Sequence, residues 1–238
     1  MAREDDKLRI LIGTGTGDAG SDRSRSRGIY RAELDTASGA LTITGLAAEL
    51  ADPTFLARTP DGARLYAVSE IGDYGGASSG AVAAYAVDRA TGDLTLLNVQ
   101  PSGGAGPAYV ALDRTGRIVL VANYGAGSVA SLPVEPDGRL RTPSRVWQHT
   151  GAGPQADRQE APHAHCIVPD PANRHALVAD LGVDKLFVYP INSEAARLDA
   201  SLQEVATRPG MGSRHLAFHP VLDVVYVSGE LDSTVSVF

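Results

Sequence analysis

Four residues in the second half of the chain have side chains suited to acid–base chemistry and to binding an anion. His163 and His165 lie two positions apart, and Arg214 and Glu230 follow further along the chain. An imidazole, with an ordinary pKa of about 6.5, can take up a proton at neutral pH. Arginine can stabilise an oxyanion or clamp an anionic group, and glutamate can orient the histidine or act as the base itself. Because these residues are far apart in the chain, only the fold can bring them together.

A two-part segment that recurs about every fifty residues indicates how the fold does this. The first part reads DPTFLARTPDGARLYAVSE, GPAYVALDRTGRIVLVANY, APHAHCIVPDPANRHALVADLG and GSRHLAFHPVLDVVYVSGE at its four occurrences. The second part reads GAVAAYAVDRATGDL, GSVASLPVEPDGRL, DKLFVYPINSEAARL and STVSVF, and an earlier copy, GIYRAELDTASGALT, has no first part before it. Repetition at a fixed period of this length indicates stacked supersecondary units.

Within each repeat the residues favour β-structure. Apolar residues alternate, and Asp-Gly and Thr-Gly pairs such as Asp61-Gly62 and Thr115-Gly116 predict tight turns. Two hairpins per repeat make a four-stranded antiparallel sheet, which is one blade of a β-propeller. With strands labelled A to D from the axis outward, the A strands are PTFLAR, PAYVAL, HAHCIV and RHLAFH, and the B strands are RLYAVS, IVLVAN, HALVAD and VVYVSG. A leucine-rich or helical solenoid is the alternative, but helical patterning is nearly absent.

The repeats predict one all-β domain over residues 1–238 that contains about four and a half blades. The predicted blades are 8–50 (partial), 51–100, 106–150, 161–206 and 212–238 (partial). We expect this chain to be an incomplete propeller, because seven blades at this period need well over three hundred residues. The first and fifth blades would then each leave an apolar face uncovered, and such faces favour self-association.

Propeller geometry gathers the candidate residues at one face. Strands A and B are antiparallel, so the start of each A strand lies beside the end of each B strand. Residues at these two positions converge around the central channel. The positions, together with the loop that enters the fourth blade, hold Arg158, Gln159, His163, His165, Arg214, His215 and Glu230, with Glu70, Asn123 and Asp180 at the ends of earlier B strands.

Composition narrows the class of partner. The net charge of −7 argues against nucleic acid and anionic membranes. No apolar run approaches the length of a membrane span, and the polar start MAREDDK is too brief for a signal peptide. A single cysteine, Cys166, rules out an internal disulfide framework and is typical of proteins in a reducing cytoplasm. We expect Cys166 to be a small core residue. The glycine-rich GTGTGDAG lacks the Lys-Ser/Thr of a phosphate loop and predicts a B-to-C loop.

Several segments together resemble one known family. GIYRAELDTASGALT, PTFLARTPDGARLYAVSE, VANYGAGSV, GAGPQADRQEAPHAHCIVPDP, DLGVDKLFVY and RHLAFHP…VYVSGELDSTVSV are similar to the lactonase family of seven-bladed propellers. That family includes propeller-type 6-phosphogluconolactonases and carboxy-muconate cyclases. One local departure is GTGT near the start, which leaves Gly15 where the family usually has an aromatic residue. The other departure is the chain length.

The resemblance implies hydrolysis of a small anionic sugar lactone, most specifically 6-phosphogluconolactone, without a metal or cofactor. It implies catalytic roles for His165, Arg214 and Glu230. It is also consistent with substrate contacts from Arg158, Gln159 and His163.

Other interpretations of these residues stay open at this point. Either His165 or Glu230 could be the base, and each candidate residue could instead be structural: a buried histidine, an ion pair between blade corners, or a solvated arginine. His163, His165 and Glu230 could also bind a metal ion. A cyclase that closes a carboxylated muconate to a lactone would use the same residues, and a propeller without catalytic activity would serve as a protein-binding scaffold.

Overall fold

The computed structural model describes residues 7–17 and 25–238, and within these ranges every regular element is a β-strand. Most of the polar start MAREDDK, predicted not to be a signal peptide, and part of the GTGTGDAG loop lie outside the described residues. The first sheet contains β1 (Lys7–Ile12), β2 (Gly28–Asp35) and β3 (Leu41–Glu49), and the second contains β4 (Leu56–Arg58), β5 (Arg64–Ser69), β6 (Ala81–Val87) and β7 (Leu94–Pro101).

Three further sheets follow in chain order. The third contains β8 (Pro107–Leu112), β9 (Ile118–Asn123), β10 (Ser128–Pro133) and β11 (Arg145–Gln148). The fourth contains β12 (Ala164–Pro169), β13 (His175–Asp180), β14 (Lys185–Asn192), β15 (Arg197–Leu198) and β16 (Gln203–Ala206), and the fifth contains β17 (Ser213–Phe218), β18 (Val225–Gly229) and β19 (Thr234–Val237). All strand pairs are antiparallel, and consecutive strands pair in every sheet except that β15 and β16 both pair with β14. The predicted all-β propeller class is confirmed.

The A and B strands fall close to their predicted places. The strands β5, β9 and β13 match the predicted RLYAVS, IVLVAN and HALVAD residue for residue. The first predicted A strand is shorter than expected and begins at Leu56, because the chain before it turns at Asp52, whose φ is 41°, and Thr54 donates its backbone N–H to the Asp52 carbonyl. The predicted turn at Gly62 has a φ of 71°, and in the fourth sheet Asn173 takes the same left-handed conformation.

The core lies between the sheets. Side chains alternate along β9, so Ile118, Leu120 and Ala122 pack against the fourth sheet while Val119 and Val121 pack against the second. Two further clusters join the first sheet to the second and the fourth to the fifth. Apolar residues on both faces of their strands therefore fix the second, third and fourth sheets between two neighbours.

Large apolar side chains are exposed on the first and last sheets. They are Leu8, Leu41 and Ile43 on the first sheet and Val235 and Val237 on the fifth. Self-association through these faces stays a prediction.

Candidate active site

The A strands that carry the candidate residues are interrupted at their first residues by shifts in register. In β12, Ala164 pairs with Asp180 and Cys166 with Ala179, which leaves His165 as the extra residue of a β-bulge. In β17 the register shifts between Ser213 and Leu216, across Arg214 and His215. Bulges re-aim side chains and often lie beside functional sites. The structure thus places the predicted histidine and arginine at equivalent irregular positions of two neighbouring sheets.

Glu230 joins the two predicted arginines. It directly follows β18, and its Oε1 and Oε2 accept hydrogen bonds from Arg158 Nη2 and Arg214 Nη1, respectively. The glutamate side chain is 21% exposed, whereas both arginines are about two-fifths exposed. Burial acts to raise the pKa of Glu230, but the two arginine hydrogen bonds outweigh it and hold the pKa below its usual range. Both carboxylate oxygens are therefore engaged, and the pair of cations outnumbers the anion.

His165 is the buried member of the group. It is 8% exposed, and its Nδ1 is buried without a hydrogen-bond partner among the described residues. Burial, followed by the positive charge of Arg214 and the neighbouring His215, lowers the pKa of His165 to about 4. The imidazole is therefore neutral at pH 7 and can accept a proton.

Tyr124, which sequence reasoning missed, contacts His163 and His165 and acts electrostatically on Arg158. Its ring stacks on His163 with centroids 4.5 Å apart and meets His165 edge-on at 5.6 Å. His163 Nδ1–H donates to the Tyr124 carbonyl at 3.0 Å. Glu230, followed by Tyr124, raises the pKa of Arg158. The sequence signal for Tyr124 is its position: it directly follows Asn123, at the end of a B strand.

His215 adds a second imidazole to the group. Its ring centroid lies 5.1 Å from that of His165 and 5.7 Å from that of Tyr109. Burial and the charge of Arg214 lower the pKa of His215. Tyr109 in turn packs against Phe55 with centroids 3.9 Å apart. These contacts link the rings of Phe55, Tyr109, His215 and His165 into one continuous group.

Gln159 is the one predicted substrate contact that the structure keeps away from solvent. It is fully buried, its Nε2 donates to the Leu181 carbonyl at 2.8 Å, and its Oε1 accepts the backbone N–H of Gln155 at 3.2 Å. As placed, its side chain shapes the loop that carries Arg158. His163 lies just before β12 rather than within it, so a strand period of two does not relate its ring to that of His165.

The other B-strand ends have the structural roles expected of corner residues. Asn123 Nδ2 donates to the Ser102 carbonyl at 3.3 Å, and Asp180 Oδ1 accepts the backbone N–H of His163 at 2.8 Å. Glu70 accepts a hydrogen bond from the Thr54 hydroxyl. Cys166 is fully buried, which confirms it as a core residue, and burial raises the pKa of its thiol to about 11.

Two features are absent from the described residues. In residues 7–17 and 25–238, no three His, Cys, Asp or Glu side chains are grouped so that they could hold a metal ion. The same part of the chain contains no helix long and apolar enough to cross a membrane.

Repeated antiparallel sheets with histidine, arginine and glutamate gathered where A strands begin and B strands end define a β-propeller with a charged site at one face. Residues 9–238 match the family described as Lactonase, 7-bladed beta-propeller. The chain belongs to this family.

Named relatives agree with this assignment. The chain is 40% identical over 213 residues to a 6-phosphogluconolactonase of Bacillus subtilis, covering 88% of this chain and 58% of that protein. It is 29% identical over 221 residues to a 6-phosphogluconolactonase of Formosa agariphila, covering 92% of this chain and 62% of that protein. The structure of the periplasmic gluconolactonase of Pseudomonas aeruginosa superposes with a TM-score of 0.86 at 32% identity, over 98% of this chain and 64% of that one. The chain thus spans about three-fifths of the length of these relatives.

Proposed function

We propose that the site hydrolyses a sugar lactone, 6-phosphogluconolactone, to 6-phosphogluconate. The observation that carries the proposal is a neutral, buried imidazole beside two arginines held by one glutamate. A lactone with a phosphate presents an electrophilic carbonyl and a dianion, and this arrangement has a group for each. The names of the relatives in Bacillus subtilis and Formosa agariphila support the same substrate.

His165 is the better candidate for the general base. Its Nδ1 has no partner among the described residues, whereas both oxygens of Glu230 are bound by arginines. A neutral imidazole can take the proton of a water molecule as that water attacks the lactone carbonyl carbon. The imidazolium then gives this proton to the ring oxygen as the bond between the carbonyl carbon and the ring oxygen breaks, which opens the lactone and restores the neutral imidazole. The low pKa makes His165 a weak base, but a δ-lactone also opens unaided, so modest assistance suffices.

The two arginines interact with different negatively charged groups in the proposed reaction. Arg214, in the bulge of β17 and adjacent to His215, would stabilise the oxyanion of the tetrahedral intermediate. Arg158, on the loop, would bind the anionic group of the substrate, which for this substrate is phosphate. Glu230 keeps both guanidinium groups in place and lowers their mutual repulsion.

The test is an assay of lactone opening with purified protein, corrected for the uncatalysed rate. His165→Ala, Arg214→Ala and Glu230→Ala should each lower turnover by about 10² or more without loss of folding. Arg174→Ala, an exposed arginine on another turn, is the matched control and should leave turnover unchanged.

Two further arms separate the substrate classes. Glucono-lactone with and without the 6-phosphate should differ in KM, and equal kinetics would refute phosphate recognition. Turnover of carboxy-muconate in place of either lactone would assign the site to the cyclase reaction, and no turnover of any of them would favour a binding scaffold.

A further inference from the structure

One carboxylate holds both ends of the loop that carries Arg158. The loop leaves β11 at His149 and enters β12 at His163, spanning residues 150–162 between them. Asp180, the last residue of β13, is fully buried. Its Oδ1 accepts the backbone N–H of His163 at 2.8 Å, and its Oδ2 lies 2.6 Å from Nδ1 of His149, which donates to it.

A second hydrogen bond extends this connection into the fourth sheet. His149 Nε2 lies 2.9 Å from the hydroxyl of Tyr189, and the imidazole stacks on Phe187 with centroids 3.8 Å apart. The imidazole of His149 is 1% exposed and the carboxylate of Asp180 is fully buried. Buried polar groups that lose one partner are costly, so such a network holds one arrangement.

The middle of the loop is tied to the residues that follow Asp180. Gln159, adjacent to Arg158, donates to the Leu181 carbonyl at 2.8 Å, and the Leu181 N–H donates to the His163 carbonyl at 2.9 Å. Asp180 Oδ1 also accepts the Gly182 N–H at 3.0 Å. The loop is therefore fastened at its entry, its middle and its exit to one short segment, residues 180–182.

We propose that Asp180, His149 and Tyr189 are positioning residues that hold the loop so that Arg158 meets Glu230. The role of Arg158 as a substrate contact rests on the function proposed above, whereas the clamping of the loop does not. The network touches no part of the Arg158–Glu230 pair and acts only through the loop backbone. The spacing of these three residues in the sequence does not predict the network, because they lie at the end of a D strand, at the end of a B strand and in the middle of a C strand.

The test uses His149→Phe, which keeps a ring against Phe187 and removes both hydrogen bonds. His149→Phe would leave the Tyr189 hydroxyl buried without its partner. The double variant His149→Phe/Tyr189→Phe also removes that hydroxyl, so the proposal stays testable if the single variant fails to fold. Asp113→Asn is the matched control, because Asp113 is another buried carboxylate that accepts backbone N–H groups, at 2.8 and 2.9 Å, in a turn of the third sheet.

The first readout is limited trypsin digestion under native conditions. The rate of cleavage after Arg158 is divided by the rate after Arg89, an exposed arginine in the turn between β6 and β7. Both network variants should raise this ratio by about tenfold or more, because loss of a buried hydrogen bond favours local opening. Asp113→Asn should leave the ratio unchanged. A network variant that lowers the free energy of unfolding with an unchanged ratio would overturn the proposal.

The second readout separates positioning from folding. Protection of the folded chain by inorganic phosphate, measured as the rise in Tm, should weaken in the network variants and persist in Asp113→Asn. In the lactone assay, KM should rise while kcat stays within about twofold. A raised cleavage ratio with unaltered phosphate protection and KM would show that the loop position is irrelevant to the site. If the unmodified protein opens no lactone, the proposed function is wrong. The cleavage ratio then still tests whether Asp180, His149 and Tyr189 hold the loop.

Discussion

Acidification should destabilise the protein through His165. Burial and Arg214 lower the pKa of this imidazole from 6.5 to about 4. The unfolded chain therefore takes up the proton first as the pH falls. The stabilising contribution is fully present above about pH 6.5 and is lost as the pH falls from there to about 4.

The size of the effect follows from the two pKa values. Each pKa unit corresponds to about 1.36 kcal/mol, so His165 accounts for a loss of about 3 kcal/mol of unfolding free energy between pH 7 and pH 4, and for about 2 kcal/mol of that by pH 5. His165→Gln removes the titrating group. His215, whose pKa is lowered as well, remains in both proteins, so the comparison isolates the change made at position 165.

The assay is urea unfolding of the unmodified chain and of His165→Gln at several values between pH 7 and pH 4. Fluorescence of Trp147, the one tryptophan of the chain, follows the transition. The difference in unfolding free energy between the two proteins should shift by about 3 kcal/mol in favour of the variant as the pH falls. Parallel pH profiles would show that the imidazole titrates normally, and would refute the argument that burial and Arg214 keep it neutral.

Three other outcomes are expected. Tyr124→Phe should raise KM for the phosphorylated lactone by roughly fivefold with little change in kcat, since only the hydroxyl that acts on the Arg158 guanidinium is lost; an unchanged KM would count against that interaction. Gly182→Ala should lower the free energy of unfolding by about 2 kcal/mol or more in urea titrations, because an added Cβ would lie 1.9 Å from a backbone oxygen. Gly72→Ala, where nothing lies within 4 Å, is its control and should match the parent protein. Cys166 should react with a thiol reagent only at the rate of unfolding, and fast labelling of the native chain would contradict its burial.

Much of the architecture was readable from the repeated segments. The predicted B strands RLYAVS, IVLVAN and HALVAD appear as β5, β9 and β13 without change. Strand prediction succeeded here because each strand packs on both faces, which demands an apolar run bounded by turn residues. The additional short strand β15 was not predicted, since its two residues carry no periodic pattern.

The functional site was predicted only in part. His165, Arg214 and Glu230 were named from their places at the start of A strands and the end of B strands, and the structure brings Arg158 to the same glutamate. Gln159 was predicted as a substrate contact; in the structure its side chain is buried and bonds backbone groups, and the sequence alone does not show which way a loop side chain turns.

The sequence by itself determined the repeat period, the strand order and the chemical types of the groups that meet at one face. These follow from local alternation and turn chemistry, which a chain carries in any context. Only the tertiary structure decided the bulge at His165, the capture of both Glu230 oxygens by arginines, and the burial that keeps the imidazole neutral. Those properties depend on distance and on exclusion of water between sheets, and neither quantity exists until the sheets have packed together.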